Sequence, residues 1–559
     1  MKVRSTLVRA LSAPVVAVLA LVSLPVTSAS GTATGASTQA SERCAGLAEL
    51  PIPADAVGLP TSGGRVTGAK IVPASAKGFD AVGAYCEVDA NLFPVDPEAP
   101  NIEMRVALPA EWNGKGMMFG GGGYDGIIVP PSFDIPFAGT AAGIGEGTPL
   151  ARGYAVFSGD SGHQAIKDPA NQGSFALNEE ALRNFAADAL KKTRDAAMFI
   201  IEKNYGKQPS RSYFAGVSSG GREALAVAQR WPRDFDGVIA NAPAWNAATL
   251  DLFFGHMTET LRRPGAFPSP EKQKLIYDRV MEHCDGDDGV RDGVISDEAG
   301  CDFDPKVLRC EDGEDRGPTC LSDAQIKAVR ELSSPIEWDY ELGSGEKGYP
   351  GMAFLSGADM STPGLGIGSR APERPLDDTT AFAAGFWDQW AKYFITRDPD
   401  FDGLTFDPKM PGKWKERISE LTALQDINNP DLSEFAKAGG KLLLVHGTAD
   451  PIVSVRSTAE YYERVRATVG PKTASKFLRM YTIPGMGHGG TAAFTAGWDS
   501  LTAVQRWAEK GIAPNGPVVT DLGESADGRT RPLCEYPQWP RYKGKGDVDR
   551  AENYACVRS

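Results

Sequence analysis

Histidine is scarce in this 559-residue chain, with only five present. Any chemistry that needs an imidazole can therefore be traced by elimination. Beyond residue 30 no apolar run is long enough to cross a bilayer, which excludes a protein threaded through the membrane by a later helix. Positive charge is also in deficit, with 58 Lys and Arg against 72 Asp and Glu and a formal net charge of −14. Nucleic acid and anionic membrane surfaces both reward a basic face, so neither is expected as a partner. A small organic substrate fits better, and nothing in the sequence calls for an obligate protein partner. The four glycines at 120–123 are not followed by G-K-[ST], which removes the usual phosphate cradle.

What is present is ordinary for a folded protein: 42% hydrophobic residues, 23% charged and a mean hydropathy of −0.26. The length exceeds one minimal core and predicts a main domain with a large insertion. Residues 1–29 combine a basic start, a Pro- and Ser-broken apolar run and a small-residue exit at Val26-Thr27-Ser28-Ala29, the pattern of a cleaved export signal. A flexible leader follows over 30–43. All eight cysteines (Cys44, Cys86, Cys284, Cys301, Cys310, Cys320, Cys534, Cys556) lie past the signal, and an even count in a secreted, extracellular chain reads as disulfides. Cysteine positions alone leave 105 connectivities open.

Short unalternated apolar runs at 116–119, 154–158, 212–215, 238–241, 441–445 and 477–483 read as strands covered on both faces, with amphipathic helical stretches between them. The texture changes over 250–436, where cysteines, Asp-Gly turns and the aromatic run Phe386 to Phe394 collect. This block reads as an inserted lid domain between a first part, 44–249, and a second part with a disulfide-bonded tail, 437–559. A helix over 492–510, stopped by Gly511, is expected near the end.

GVSSGG at 216–221 contains G-x-S-x-G, which is weak alone but here ends a strand-like run and opens a helical pattern. That context predicts a tight elbow presenting Ser218 as nucleophile, with the Ser219 N–H where an oxyanion develops. Of the five histidines, His163 precedes the serine, and His256 and His283 lie in the insertion. His446 precedes the best acid, which leaves His488, in a glycine-rich loop, as base. Asp450 in HGTADP (446–451) follows a buried strand and can orient that imidazole. The order Ser, Asp, His is that of the α/β-hydrolase fold. The glycine run supplies a second oxyanion N–H, from Gly123 or Gly122.

The GGGG run, GDSGH at 159–163, the GVSSGG elbow, HGTADP and PGMGH at 484–488, in this order, resemble the tannase/feruloyl esterase family across most of the mature chain. The resemblance implies hydrolysis of esters of aromatic acids (feruloyl, galloyl or terephthalate monoester type) through Ser218, Asp450 and His488. It also implies the pairs Cys44–Cys86, Cys284–Cys301, Cys310–Cys320 and Cys534–Cys556. One departure stands out. Where family members carry a cysteine before the serine and after the histidine, joined as a disulfide, this chain has Val217 and Gly489. Residues 284–297 (CDGDDGVRDGVISD) do not have EF-hand spacing. Their resemblance to the family's lid site implies structural calcium on the side chains of Asp285, Asp288 and Asp292 and the carbonyls of Val290 and Val294. No organic cofactor is expected. The competing readings are a silent binding protein on the same fold, which would not need the triad, and a serine peptidase. The aromatic run is either acyl-pocket wall or plain core, and Arg397 either meets a substrate carboxylate or faces solvent.

Overall fold

The computed structural model describes residues 39–75, 81–135, 147–167, 169–488, 492–523 and 528–558. The export signal read at 1–29, the leader up to residue 38 and Gly489 lie outside the described residues. Ten strands form the central sheet: β1 (Pro51–Ile52), β2 (Gly64–Val72), β3 (Tyr85–Leu92), β4 (Ile102–Pro109), β5 (Lys115–Phe119), β6 (Ala155–Gly159), β7 (Arg211–Val217), β8 (Gly237–Asn241), β9 (Lys441–Gly447) and β10 (Leu478–Ile483). Their spatial order is β1-β2-β3-β4-β6-β5-β7-β8-β9-β10. The pairs from β6 through β10 are parallel, and those from β1 to β4 and between β4 and β6 are antiparallel. The six strands read from apolar runs are the parallel part. They alternate between two buried layers: Leu442 and Leu444 pack with Phe214 and Val238, whereas Leu443 and Val445 pack with Tyr213 and Ile239.

Helices cover both faces. Helix α1 (Ala189–Tyr205) lies on β4 and β6, and α2 (Ser219–Arg230) lies on β7 and β8. Strands β8 and β9 are neighbours in the sheet, so residues 242–440 form one long excursion between adjacent strands. It contains α3 (Ala247–Arg262), α4 (Pro270–Cys284), α5 (Phe382–Gln389) and α6 (Lys415–Gln425). The change of texture at 250 falls inside α3, whose residues on both sides of that point, Ala248 and then Phe253, Phe254 and Met257, share one core with Trp387, Trp390 and Phe394. At Gly255 an added Cβ would meet the Trp387 ring at 2.6 Å, so a side chain there would push α3 and α5 apart.

One expectation needs correction. The last helix is α8 (Ser500–Lys510), following α7 (Val455–Val469), and does not begin at 492. Ala496–Gly497 instead pairs with Val518–Asp521, and the helix opens where the Asp499 carboxylate caps the Thr502 N–H at 2.8 Å. Strands β2 to β4 were not read, because polar residues interrupt their apolar pattern, as in GRVTGAKIV. All eight cysteines are paired, as Cys44–Cys86, Cys284–Cys301, Cys310–Cys320 and Cys534–Cys556, the four pairs the resemblance implied.

Candidate active site

Parallel strands bring their carboxyl ends to one edge, so the loops after β5, β7, β9 and β10 meet there. Ser218 joins β7 to α2 with φ 61° and ψ −120°, a conformation L side chains rarely adopt. It is over-determined by its surroundings: the Ser218 N–H donates to the Asn241 carbonyl at 3.1 Å, and its own carbonyl accepts from Arg222 and Ala244. The turn closes only because its neighbours are small. A Cβ at Gly216 would stand 2.3 Å from the Gly220 carbonyl oxygen.

Asp450 is 1% exposed. Its Oδ1 accepts the N–H groups of Ile452 and Val453, both at 2.9 Å, which fixes the carboxylate plane. Its Oδ2 lies 2.5 Å from His488 Nδ1 and 3.3 Å from His446 Nε2. Burial works against the charge, but the two imidazoles outweigh it and hold the carboxyl well below the usual carboxylate range. His446, set aside by the elimination above, is therefore attached to the same acid. Its Nε2 faces two acceptors, Asp450 Oδ2 and the Val453 carbonyl at 3.0 Å, so Nε2 carries a proton. Nδ1 takes the Thr458 hydroxyl at 2.8 Å. The signal for this contact was present in the sequence as the i, i+4 spacing in HGTAD, but read alone it does not say which strand end turns back.

Ser218 and His488 line one cavity of about 320 Å³, together with Gly123, Ser219, Val217 and a largely apolar wall from α3, α5 and residues 452–453. The Ser219 N–H is the first of α2 and has no partner within the helix. The Gly123 N–H forms no hydrogen bond among the described residues, and the Ser219 hydroxyl donates to the Gly123 carbonyl at 2.7 Å, tying the two donors together. Between Gly122 and Gly123, the cavity is lined by Gly123. Glu223 Oε2 holds the Gly121 N–H at 2.9 Å from below. His163 of GDSGH does not reach the serine; its Nε2 donates to the Tyr124 carbonyl at 2.7 Å and its ring stacks on Phe175. Of the aromatic run, Phe386 lines the cavity while Trp387, Trp390 and Phe394 are fully buried core. Arg397 pairs with Glu179 and the carbonyls of Ala176 and Leu177, away from the cavity.

The acidic loop after α4 closes largely on itself. Asp285 accepts the N–H groups of Asp292, Gly293 and Val294, Asp288 Oδ1 accepts that of Val290, and Asp292 is paired with Arg531. Among the described residues Asp288 Oδ2 is buried with no hydrogen-bond partner, which suits a cation. The rest of the donor set does not: among the described residues no group of three or more His, Cys, Asp or Glu side chains is arranged to hold a metal. Among the same residues no helix is long and apolar enough to cross a membrane.

Residues 86–557 match the family model described as tannase and feruloyl esterase. The chain is 36% identical over 553 residues to an uncharacterized esterase of Agrobacterium fabrum, covering 97% of each. It is 28% identical to the mono(2-hydroxyethyl) terephthalate hydrolase of Piscinibacter sakaiensis, covering 85% of each. The crystal structure of feruloyl esterase B from Aspergillus oryzae superposes with a TM-score of 0.74 at 24% identity, over 92% of this chain and all of that one, and shows the same fold. With an α/β-hydrolase sheet and a family match over most of its length, this chain belongs to the tannase and feruloyl esterase family and is a carboxylic ester hydrolase.

Proposed function

We propose that the protein is a secreted serine esterase that hydrolyses esters of aromatic acids through an acyl-enzyme. The observation that carries this reading is the 2.5 Å contact of His488 Nδ1 with Asp450 Oδ2, with His488 and Ser218 on the wall of one cavity. Because Nδ1–H is committed to Asp450, Nε2 is the basic nitrogen. It takes the Ser218 proton as the hydroxyl attacks the ester carbonyl. The N–H groups of Ser219 and Gly123 receive the oxyanion. The alcohol leaves with the proton from Nε2, and water, activated by the same nitrogen, releases the acid. No step needs an organic cofactor.

The four disulfides fit an extracellular protein, and the export signal read at 1–29 supplies the route. The insertion acts as a lid, contributing Phe382 and Phe386 to the cavity wall. With valine at 217 and glycine at 489, no disulfide can join the serine and histidine loops at the two positions where the family resemblance would place one. Structural calcium in the loop at 285–294 rests on the buried, unpartnered Asp288 oxygen and requires the neighbouring carboxylates to turn from their amides.

The deciding experiment is hydrolysis of methyl ferulate, methyl gallate and a terephthalate monoester by the mature protein and by Ser218→Ala. Turnover falls by at least ~10³-fold in the variant if Ser218 is the nucleophile. Turnover that survives the substitution would remove the serine mechanism.

A further inference from the structure

Two polar side chains on the cavity wall have no use in the reaction. Helix α3 faces the cavity with Ala247, Leu250, Asp251 and Phe254, an i, i+3, i+4, i+7 stripe in which an acid replaces one apolar residue. Asp251 is 6% exposed and forms no hydrogen bond or ion pair among the described residues. Gln425, the last residue of α6, lines the same cavity at 1% exposure, and its Nε2 is buried with no hydrogen-bond partner among the described residues. The other polar groups on the wall are spent: the Tyr124 hydroxyl on the Phe386 carbonyl, and the Ser219 hydroxyl on the Gly123 carbonyl.

Buried polar groups without partners cost free energy, and pockets keep a few of them to orient and select a ligand. We propose that Asp251 and Gln425 are specificity-determining residues that read oxygen substituents on the aromatic ring of the ester, Asp251 pairing with a ring hydroxyl and the Gln425 amide donating to an oxygen of the same ring. This deepens the reading of Ser218 as an aromatic-ester nucleophile and rests on it. It selects esters of ring-hydroxylated aromatic acids over terephthalate monoesters. Among the described residues no Lys or Arg lines the cavity, so a ring carboxylate would be buried without a counter-charge. The guanidinium behind this wall, Arg222, is committed to the carbonyls of Phe185 and Ala186, and the other charge near Asp251 is Asp426, an acid. Burial, reinforced by Asp426, pushes the Asp251 carboxyl well above the ordinary range and favours its neutral form, which can both donate and accept.

The test compares kcat/KM for methyl 4-hydroxycinnamate, methyl cinnamate and monomethyl terephthalate in the wild type, Asp251→Leu and Gln425→Leu, with Ser218→Ala alongside. A site built around a substrate hydroxyl should favour hydroxycinnamate over cinnamate by ~30-fold or more, and Asp251→Leu should bring that ratio within about threefold of unity. Gln425→Leu should act in the same direction on methyl ferulate against methyl cinnamate. If Asp251→Leu does not fold, Asp251→Ala, which also removes both hydrogen-bonding oxygens, is read in its place. Ser218-dependent turnover with a ratio unchanged in the variants, or a wild type that prefers the terephthalate monoester, overturns this assignment and leaves the serine-esterase reading standing. Turnover that persists in Ser218→Ala overturns both.

Discussion

Tyr124 stacks on Phe386 with ring centroids 4.1 Å apart and planes 11° apart, and its hydroxyl donates to the Phe386 carbonyl at 3.0 Å. One residue past the glycine run is thereby fastened to a helix of the insertion 262 positions later. On the other side, the Tyr124 carbonyl accepts from His163, whose ring rests on Phe175. The loop at Gly123 is therefore positioned by the insertion as well as by the sheet, and a disturbance of the insertion reaches the Gly123 N–H through one side chain.

Tyr124→Phe keeps the stack and loses the hydroxyl, so it should cost about 1 kcal/mol of stability. Tyr124→Ala removes the ring and should cost ~3–5 kcal/mol. If the loop is placed through this ring, Tyr124→Ala also lowers kcat at a temperature where the variant is fully folded. Thermal unfolding beside kcat separates the two effects. A folded Tyr124→Ala with wild-type kcat would show that the loop is set by Glu223 and the sheet alone.

The shared Asp450 oxygen gives a second prediction. Asp450→Asn should lower kcat by ~10⁴-fold, because an amide presents donors where two imidazole N–H groups need an acceptor. His446→Phe removes only one of those donors and should cost about tenfold, the worth of one hydrogen bond to a charged group. The sign of the pH effect follows from the depressed Asp450 carboxyl. Its stabilising share is complete above the unfolded value near ~3.9 and is lost as pH falls through the lower folded value. Removing His446 lifts the folded value, so the acid limb of stability should move to higher pH. An acid limb that stays in place in His446→Phe would mean the 3.3 Å contact contributes nothing.

The parallel strands and the residues at their ends were legible because burial on both faces writes unbroken apolar runs, and the chemistry sits just past them. Ser218, Asp450 and His488 follow the ends of such runs, and His488 stands against Asp450. His446 was set aside on chain order, although its place in the strand turns it onto Asp450. The antiparallel edge was hidden because strands such as GRVTGAKIV mix charge with apolar residues. Asp251 and Gln425 could not be found from sequence, since an acid on a helix reads as solvent-facing until the facing helices close over it. The acidic loop was legible as a carboxylate cluster, but the sequence does not record that Arg531, 239 residues later, takes one of the three.

Glycines divide into those the packing requires and those it tolerates. A Cβ at Gly221 would lie 2.5 Å from the Asn241 carbonyl oxygen and 2.8 Å from Pro243 Cα, where α2 presses on the end of β8. Gly221→Ala should cost roughly 1–3 kcal/mol despite alanine's better helix propensity. Gly385 of α5 meets nothing within 4 Å, and Gly385→Ala should gain about 0.5–1 kcal/mol. Equal and opposite shifts are not required, but a stabilised Gly221→Ala, read by chemical denaturation, would contradict the close approach at the elbow.

His163 yields the last prediction. Burial lowers its imidazole from 6.5 to about 4, against the Tyr124 carbonyl, which favours the charged form. Among the described residues its Nδ1 has no hydrogen bond of normal length, and the Ser161 backbone beside the ring only partly offsets the cost of burying a second proton. The native state therefore holds His163 neutral while the unfolded chain protonates it below about 6.5. Stability from this group is complete above 6.5 and falls between 6.5 and 4 as pH drops, by ~3 kcal/mol in all. Asp160, whose carboxyl burial raises to about 7, acts with the opposite sign: it is protonated in the native state across the same window and favours folding as pH falls below 7. The net slope mixes the two, so the difference between wild type and His163→Gln isolates the histidine. Glutamine can still donate to the Tyr124 carbonyl but does not charge. Denaturation midpoints for the two proteins should converge from pH 7 toward pH 4; parallel curves would mean that His163 is already protonated in the native state or is solvated.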